Sequence, residues 1–299
     1  MNQQFLTELK AVTAENRIFT DEPMKKHTTF RVGGPADILV QPKGTELASV
    51  IRLCRKYDVP YQVIGNGSNL LVGDRGIRGL VIEMLSKEDE ICVEDDCITV
   101  GAGMLLSKTA NRAADHGLTG MEFAAGIPGS IGGAVVMNAG AYGGEMKQIV
   151  ESVTVLTMGG EEKMLSGEES AFAYRTSVYQ TLPCVIVKAV LRLQPGDPET
   201  IGQTMRTLMK KRKASQPLEL PSAGSTFKRP TGYFAGPLIE QAGLKGCGVG
   251  GAEVAKKHAG FIVNTGGATA EDIKKTIAMV QSRVWETSGV RLEPEVRIW

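Results

Sequence analysis

Apolar residues recur with two periods along the chain, and the periods mark out its elements. The first thirty residues read as a short amphipathic helix followed by an extended lead-in. Ile38, Leu39 and Val40 form a strand that Pro42 ends. From 46 to 58, Leu47, Val50, Ile51, Cys54 and Tyr57 share one helical stripe, and Thr45 is placed to cap it. Strands follow at 61–64 and 80–83, an α/β alternation. A second block opens near Ile91, with a strand at 98–100, a helix at 105–116 and strands at 152–157 and 185–193. In the last, Val185, Val187, Ala189, Leu191 and Leu193 alternate with more polar or smaller neighbours, as in a sheet with one buried face.

Beyond Gln194 the turn residues Pro195, Gly196, Asp197 and Pro198 make the best boundary in the chain. Asp197 serves as N-cap, Pro198 takes the first helical position, and a basic helix runs to about Lys213. Thr269 and Asp272 form a capping box before Ile273, Ile277, Val280 and Val284, and Gly289 ends that helix. The terminal stretch predicts one clean strand. Val290, Leu292, Pro294, Val296 and Ile298 lie on one side, and Arg291, Glu293, Glu295 and Arg297 on the other.

Composition narrows the function classes. The 34 basic and 33 acidic residues nearly cancel, so no global field draws nucleic acid or anionic lipid. The start lacks the basic and apolar regions of a signal peptide, and no apolar run reaches membrane-spanning length. Five cysteines scattered among apolar residues predict reduced, buried thiols, and three histidines argue against a zinc cluster. Glycine stands out: 36 in 299 residues, about 12% against a usual 7%.

Two segments concentrate those glycines. Gly65, Asn66, Gly67, Ser68 and Asn69 follow a strand and can form a nest of N–H groups for a phosphate, or simply a turn. The segment 126–144 carries Gly126, Gly129, Gly132, Gly133 and Gly140 with Pro128 stiffening the first turn. It gives backbone access to the edge of a flat ring, or else packs as a tight turn between domains. Among reactive side chains, Ser225 lies in a flexible run with Lys228 and Arg229 close behind, a diphosphate-binding pattern or a loop hydroxyl capping a helix. Arg175, after Tyr174, can fork onto a carboxylate or make a surface ion pair. Glu295 is an acid or a partner for that arginine if buried beside a pocket, and ordinary if exposed.

Taken together, GNGSNLL at 65–71, MEFAAGIPGSIGGAVVMNAGAYGGE at 121–145, FAYRTS at 172–177, GSTFKRP at 224–230 and LEPEVRI at 292–298 resemble the UDP-N-acetylenolpyruvoylglucosamine reductase (MurB) family, from Phe30 to Trp299. With only eight residues between Arg175 and Cys184, the chain is similar to the family's shorter-loop branch, so no tyrosine after the arginine is assigned a role. The family often has asparagine where Arg229 stands.

The resemblance implies an α+β fold of the vanillyl-alcohol-oxidase type. Two α/β lobes, 1–84 and 85–196, would hold FAD, and 197–299 would form a C-terminal α+β substrate-binding domain. It implies FAD contacts at Gly65, Asn66, Gly67, Ser68, Asn69, Gly126, Pro128, Gly129, Ser130, Gly133, Asn138, Ala139 and Gly140. Ser225 would be the catalytic proton donor, Arg175 the cation on the enolpyruvyl carboxylate and Glu295 its assisting carboxyl, with Lys228 and Tyr174 binding substrate. The implied reaction is NADPH-dependent, FAD-mediated reduction of the enolpyruvyl ether of UDP-N-acetylglucosamine, in a cytoplasmic monomer with no nucleic-acid, membrane or metal partner. The NADPH preference comes from the resemblance alone, since no adenosine 2′-phosphate site is marked in the sequence. Two other readings stay open: another FAD oxidoreductase on the same scaffold, and a non-enzymatic nucleotide-sugar binder.

Overall fold

The computed structural model describes residues 3–85 and 90–299. Met1 and Asn2, at the start of the expected first lobe, and 86–89, at the start of the expected second, lie outside the described residues. The chain forms two compact units. Unit 1 takes Met1–Thr20, Ile38–Asn66 and Gly79–Lys210; unit 2 takes Asp21–Asp37, Gly67–Arg78 and Lys211–Trp299. The stretches 21–37 and 67–78 thus belong with the C-terminal residues, whereas the sequence division kept 1–84 together.

Unit 1 has two cores. In the first, residues 38–40 and 80–83 bury Ile38, Val40, Leu80 and Ile82 against Phe5 and Leu9 of α1 (Gln3–Val12) and Leu47, Val50, Ile51 and Cys54 of α2 (Glu46–Lys56). Tyr61–Ile64 pairs in parallel with 80–83. Thr45 does not cap α2, because its side chain accepts no bond there. The Glu46 carboxylate instead accepts the Lys43 amide at 2.9 Å and a bidentate fork from Arg17 at 2.7 Å on each arm. That guanidinium holds the Glu46 carboxyl below the usual carboxylate range.

The second core of unit 1 lies on a five-stranded antiparallel sheet in the order Glu162–Ser166, Val150–Thr157, Cys184–Arg192, Cys97–Gly101, Ile91–Glu94. Val153, Val155, Ile98, Val100, Ala189 and Leu191 pack there against α3 (Leu106–Asp115) and α4 (Ile131–Met137). The expected alternation along 185–193 breaks at a register shift, where Thr154 opposes Lys188 and Val155 opposes Ile186. The extra residue lets Val185 join the first core and Ile186 the second.

In unit 2, Gly248–Val249, Ala252–Val254 and Ile262–Asn264 form a small antiparallel sheet beside α6 (Ala235–Gln241) and α7 (Ala270–Ser288). Before them in sequence, α5 (Pro198–Ser215), which runs from unit 1 into unit 2, opens with Asp197 accepting the Thr200 amide at 2.8 Å. The capping box of α7 forms as expected: Thr269 Oγ1 accepts the Asp272 amide and Asp272 the Thr269 amide, both at 3.0 Å, and Gly289 closes the helix at φ +67°. Asp74 adds a carboxylate to the same first turn, accepting the Ala270 and Glu271 amides.

Two expectations need correction. The C-terminus is not one alternating strand. Only Arg297–Ile298 pairs regularly, in parallel with Leu70–Leu71, and Ile298 is exposed while Leu292 and Val296 are buried. The middle of the run makes a single bridge, Pro294 with Phe227, at a non-hydrogen-bonded position, and the Thr226 amide goes to the Gly260 carbonyl instead of continuing the ladder. The thiols are all free, but only Cys54 is buried, which pushes its thiol up to about 12. Cys92 points outward from the edge strand of the second sheet, and Cys247 sits in an exposed turn. Among the described residues no helix is long and apolar enough to cross a membrane.

Candidate functional site

The two glycine-dense segments meet within unit 1. Asn66 Nδ2 donates to the Pro128 carbonyl at 2.5 Å. Gly65 approaches so closely that a Cβ there would stand 1.9 Å from Ser130 Oγ, so any side chain would part the two loops. Ser130 is buried and caps α4, its hydroxyl accepting the Gly133 amide at 3.4 Å. Among the described residues, none of the Gly65, Asn66, Gly129 and Ser130 amides, all in unit 1, donates to a protein acceptor. A row of unspent N–H groups on small residues fits the oxygens of a pyrophosphate, and so fits the group that the sequence suggested.

Farther along, Asn138 ends α4 in the left-handed conformation, φ +41°, with its side chain wholly buried. Its amide group donates to Glu145 at 3.1 Å and to the Ala173 carbonyl at 3.0 Å, and its oxygen accepts the Lys147 amide at 2.9 Å. The side chain is therefore spent on protein partners, and the Asn138 and Ala139 amides are spent as well, on the Val135 and Ala134 carbonyls at 3.2 and 2.8 Å. Gly140 starts a two-residue strand, Gly140–Ala141, antiparallel to Gly144–Glu145. A Cβ there would meet the Gly144 carbonyl at 2.6 Å.

Asn138 also anchors the loop that carries Arg175. Ala173 and Thr176 exchange two backbone bonds of 3.1 Å, so Tyr174 and Arg175 form the tip of a tight turn. Arg175 has φ +53°, a conformation that such turns usually give to glycine or asparagine and that costs an L-residue on the order of 1–2 kcal/mol. Three contacts hold it: Gln180 Nε2 donates to the Arg175 carbonyl at 3.0 Å and to the Val136 carbonyl at 3.0 Å, and Ser177 Oγ to Val136 at 2.8 Å. The guanidinium donates to the Gly140 carbonyl at 3.1 Å and lies 5.3 Å from the Tyr174 ring centroid. The strained arginine is thus tied by one arm to the end of the glycine segment.

Unit 2 brings together the other two candidates for chemistry. Phe227 and Pro294 form an isolated bridge, Lys228 N–H donates to the Glu293 carbonyl at 2.9 Å, and Glu295 N–H to the Thr226 carbonyl at 2.8 Å. Ser225, exposed, therefore precedes a residue bonded directly to the Glu295 backbone. Thr226 is wholly buried, and its Oγ1 accepts the Ile262 amide at 3.0 Å. Asn69 Nδ2 donates to the Glu295 carbonyl at 3.2 Å, which links the last residue of the GNGSN loop to the same strand end. Lys228 Nζ faces Glu293 at 3.3 Å, the lysine partly and the glutamate largely exposed, so the pair is screened and yields readily to a stronger anion.

A profile described as "UDP-N-acetylenolpyruvoylglucosamine reductase, C-terminal domain" matches residues 216–299, and one described as "FAD binding domain" matches 36–166. The UDP-N-acetylenolpyruvoylglucosamine reductase of Agathobacter rectalis is 49% identical, aligning with 100% of this chain and 99% of its own. The chain belongs to the UDP-N-acetylenolpyruvoylglucosamine reductase family. The Clostridium tetani reductase is 51% identical over 99% of this chain and 96% of its own. The crystal structure of the Thermus caldophilus reductase superposes with a TM-score of 0.79 at 39% identity, covering 93% of this chain and 97% of that one. Membership makes the chain an oxidoreductase with an FAD-binding domain, on the α+β fold read from the sequence.

Sequence reasoning missed Gln180 and Ser177, which hold Arg175 in its strained turn, and Glu145, which orients Asn138. Their signal is weak because each acts on a backbone carbonyl or a neighbouring amide, and no spacing rule marks such contacts. Among the described residues no group of three His, Cys, Asp or Glu is placed to hold a metal.

Proposed function

We propose that this protein reduces the enolpyruvyl ether of UDP-N-acetylenolpyruvoylglucosamine to UDP-N-acetylmuramate, a peptidoglycan precursor, using FAD with NADPH as reductant. What carries the reading, beside the family membership, is the backbone pairing that seats Ser225 next to Glu295. The residues that would hold FAD are Gly65, Asn66, Gly67, Ser68 and Asn69 at the pyrophosphate. Gly126, Pro128, Gly129, Ser130, Gly133, Asn138, Ala139 and Gly140 would bound the ring. The chemistry FAD supplies when bound is hydride transfer.

The protein's own residues then have separable tasks. An alkene bearing a carboxylate resists reduction until the charge building on that carboxylate is met by a fixed cation. Arg175 supplies this charge, already oriented by its turn. Ser225 holds the proton that completes the saturated ether, delivered to the carbon next to the carboxylate. Glu295 lies one backbone bond from the residue after that serine and assists the arginine in polarising the carboxylate. Lys228 exchanges Glu293 for the diphosphate, and Tyr174 lies along the substrate beside the arginine. The lobes ending near residues 84 and 196 would serve FAD, and the remainder the sugar nucleotide. A monomeric cytoplasmic enzyme serving cell-wall growth and division fits this role.

An anaerobic titration of the purified, FAD-loaded protein tests the reading. NADPH should bleach the flavin absorbance, and adding the enolpyruvyl sugar nucleotide should restore it stoichiometrically. A flavin that NADPH reduces but this substrate leaves reduced points to a different oxidoreductase on the same scaffold. A protein that takes up no flavin ends both enzyme readings.

A further inference from the structure

The three histidines find no place in the reaction above, yet one of them is joined by hydrogen bonds to the Thr226–Glu295 pairing. His258 sits in the turn 258–260, its ring T-stacked on Phe261 with centroids 5.0 Å apart and set beside Gly236 of α6. Gly260 N–H donates to His258 Nδ1 at 3.1 Å. A backbone N–H can only donate, so Nδ1 must be the bare nitrogen and the ring proton must sit on Nε2. The Gly260 carbonyl then accepts the Thr226 amide at 2.8 Å, and the Thr226 carbonyl accepts the Glu295 amide at 2.8 Å. Thr226 Oγ1, in turn, accepts the Ile262 amide at 3.0 Å. These bonds run without a gap from the imidazole to the residue that follows Ser225 and pairs with Glu295.

We infer that His258 is a positioning residue for Ser225 and Glu295, acting through the Gly260 amide and the Thr226 backbone. The inference rests on the proposed roles of those two residues. A proton on Nδ1 turns the acceptor into a donor facing another donor, and the turn 258–260 must open. Gly260 then no longer fixes Thr226, and the hydroxyl and carboxyl lose their common seat. The charged groups around the ring are Glu240 of α6, Lys245 just after it, and Lys256 and Lys257 on its own loop. Glu240 favours the imidazolium, but Lys245, paired with it, opposes that, and Lys257 is paired with Glu219. Burial, the largest influence, holds the ring below its usual 6.5 and keeps the acceptor form through neutral pH. The sign follows: the unfolded chain binds the proton more readily, so the contribution is complete above about 6.5 and fades as pH falls toward the lowered folded value.

Two substitutions and one spectroscopic measurement test this on the FAD-loaded enzyme. His258→Asn keeps an acceptor for the amide two residues on, as in an Asx turn, but cannot titrate. It should hold kcat within about twofold of wild type near neutrality and flatten the acid limb of the kcat profile. His258→Leu fills the space without an acceptor and should lower kcat about 10- to 100-fold, the usual scale for a misplaced catalytic group. It should leave flavin reduction by NADPH unchanged, since that half-reaction does not use Ser225. A His258→Leu enzyme with normal turnover, or an Asn variant that keeps the wild-type acid limb, overturns the inference. In wild-type protein, imidazole nitrogen NMR should find the Nε2–H tautomer, with the Gly260 amide shift titrating together with His258. An Nδ1–H tautomer overturns it whatever the variants do. That measurement needs no turnover, so it separates failure of this inference from failure of the proposed reaction.

Discussion

The loop of Arg175 and the strand end of Ser225 and Glu295 place reactive groups by opposite means. Arg175 sits at φ +53° on a two-residue tip and stays there because side chains grip the backbone around it, Asn138 at Ala173 and Gln180 at Arg175 itself. Ser225 and Glu295 stand at ordinary dihedrals beside a short ladder of main-chain bonds, Lys228 to Glu293 and Glu295 to Thr226. A cation that must meet developing charge with little reorganisation gains from a conformation that its surroundings over-determine. A hydroxyl that, in the role proposed for Ser225, gives up one proton per turnover needs only a steady seat. The contrast also predicts different fragility: the arginine loop depends on a few polar side chains, whereas the strand end depends on backbone and on one buried threonine.

Substitutions in the two regions should separate them. Asn138→Ala removes three side-chain bonds and leaves alanine at φ +41°. It should cost about 4 kcal/mol by chemical denaturation, combining lost buried hydrogen bonds with left-handed strain. A cost under about 1 kcal/mol would mean that the arginine loop is held by something other than side-chain grip. Thr226→Val is nearly isosteric and strands only the Ile262 amide, so about 2 kcal/mol is expected, with the fold intact. A smaller pair of changes sharpens the same lesson at the helix starts. Thr269→Ala in unit 2 removes a working cap and should cost about 1 kcal/mol. Thr45→Ala in unit 1 removes none and should stay within about 0.5 kcal/mol.

The same contrast explains how much was legible in the sequence. Helices α2, α3, α5 and α7 and the strands around them announced themselves by period and by caps such as Asp197, Thr269 and Gly289, because local chemistry sets them. The terminal strand misled, since perfect alternation says nothing about whether a partner exists, and the Thr226 amide that would continue the ladder is spent on the Gly260 carbonyl. Likewise the register shift in Cys184–Arg192 depends on which residue opposes Val155, a fact held by another strand. At the site, Gly65, Asn66 and Pro128 were legible as loops but not as touching loops. Arg175 was visible as a guanidinium, but its positive φ and its Gln180 brace arise only when residues 136, 175 and 180 come together.

The most direct test of the proposed chemistry is stopped-flow absorbance of the flavin in Ser225→Ala, under anaerobic conditions. Removing the hydroxyl should leave reduction by NADPH at the wild-type rate. Reoxidation by the enolpyruvyl sugar nucleotide should slow by a factor on the order of 10²–10⁴, the range for a lost general acid. Reoxidation at the wild-type rate would contradict the account, because the proton would then come from some other group.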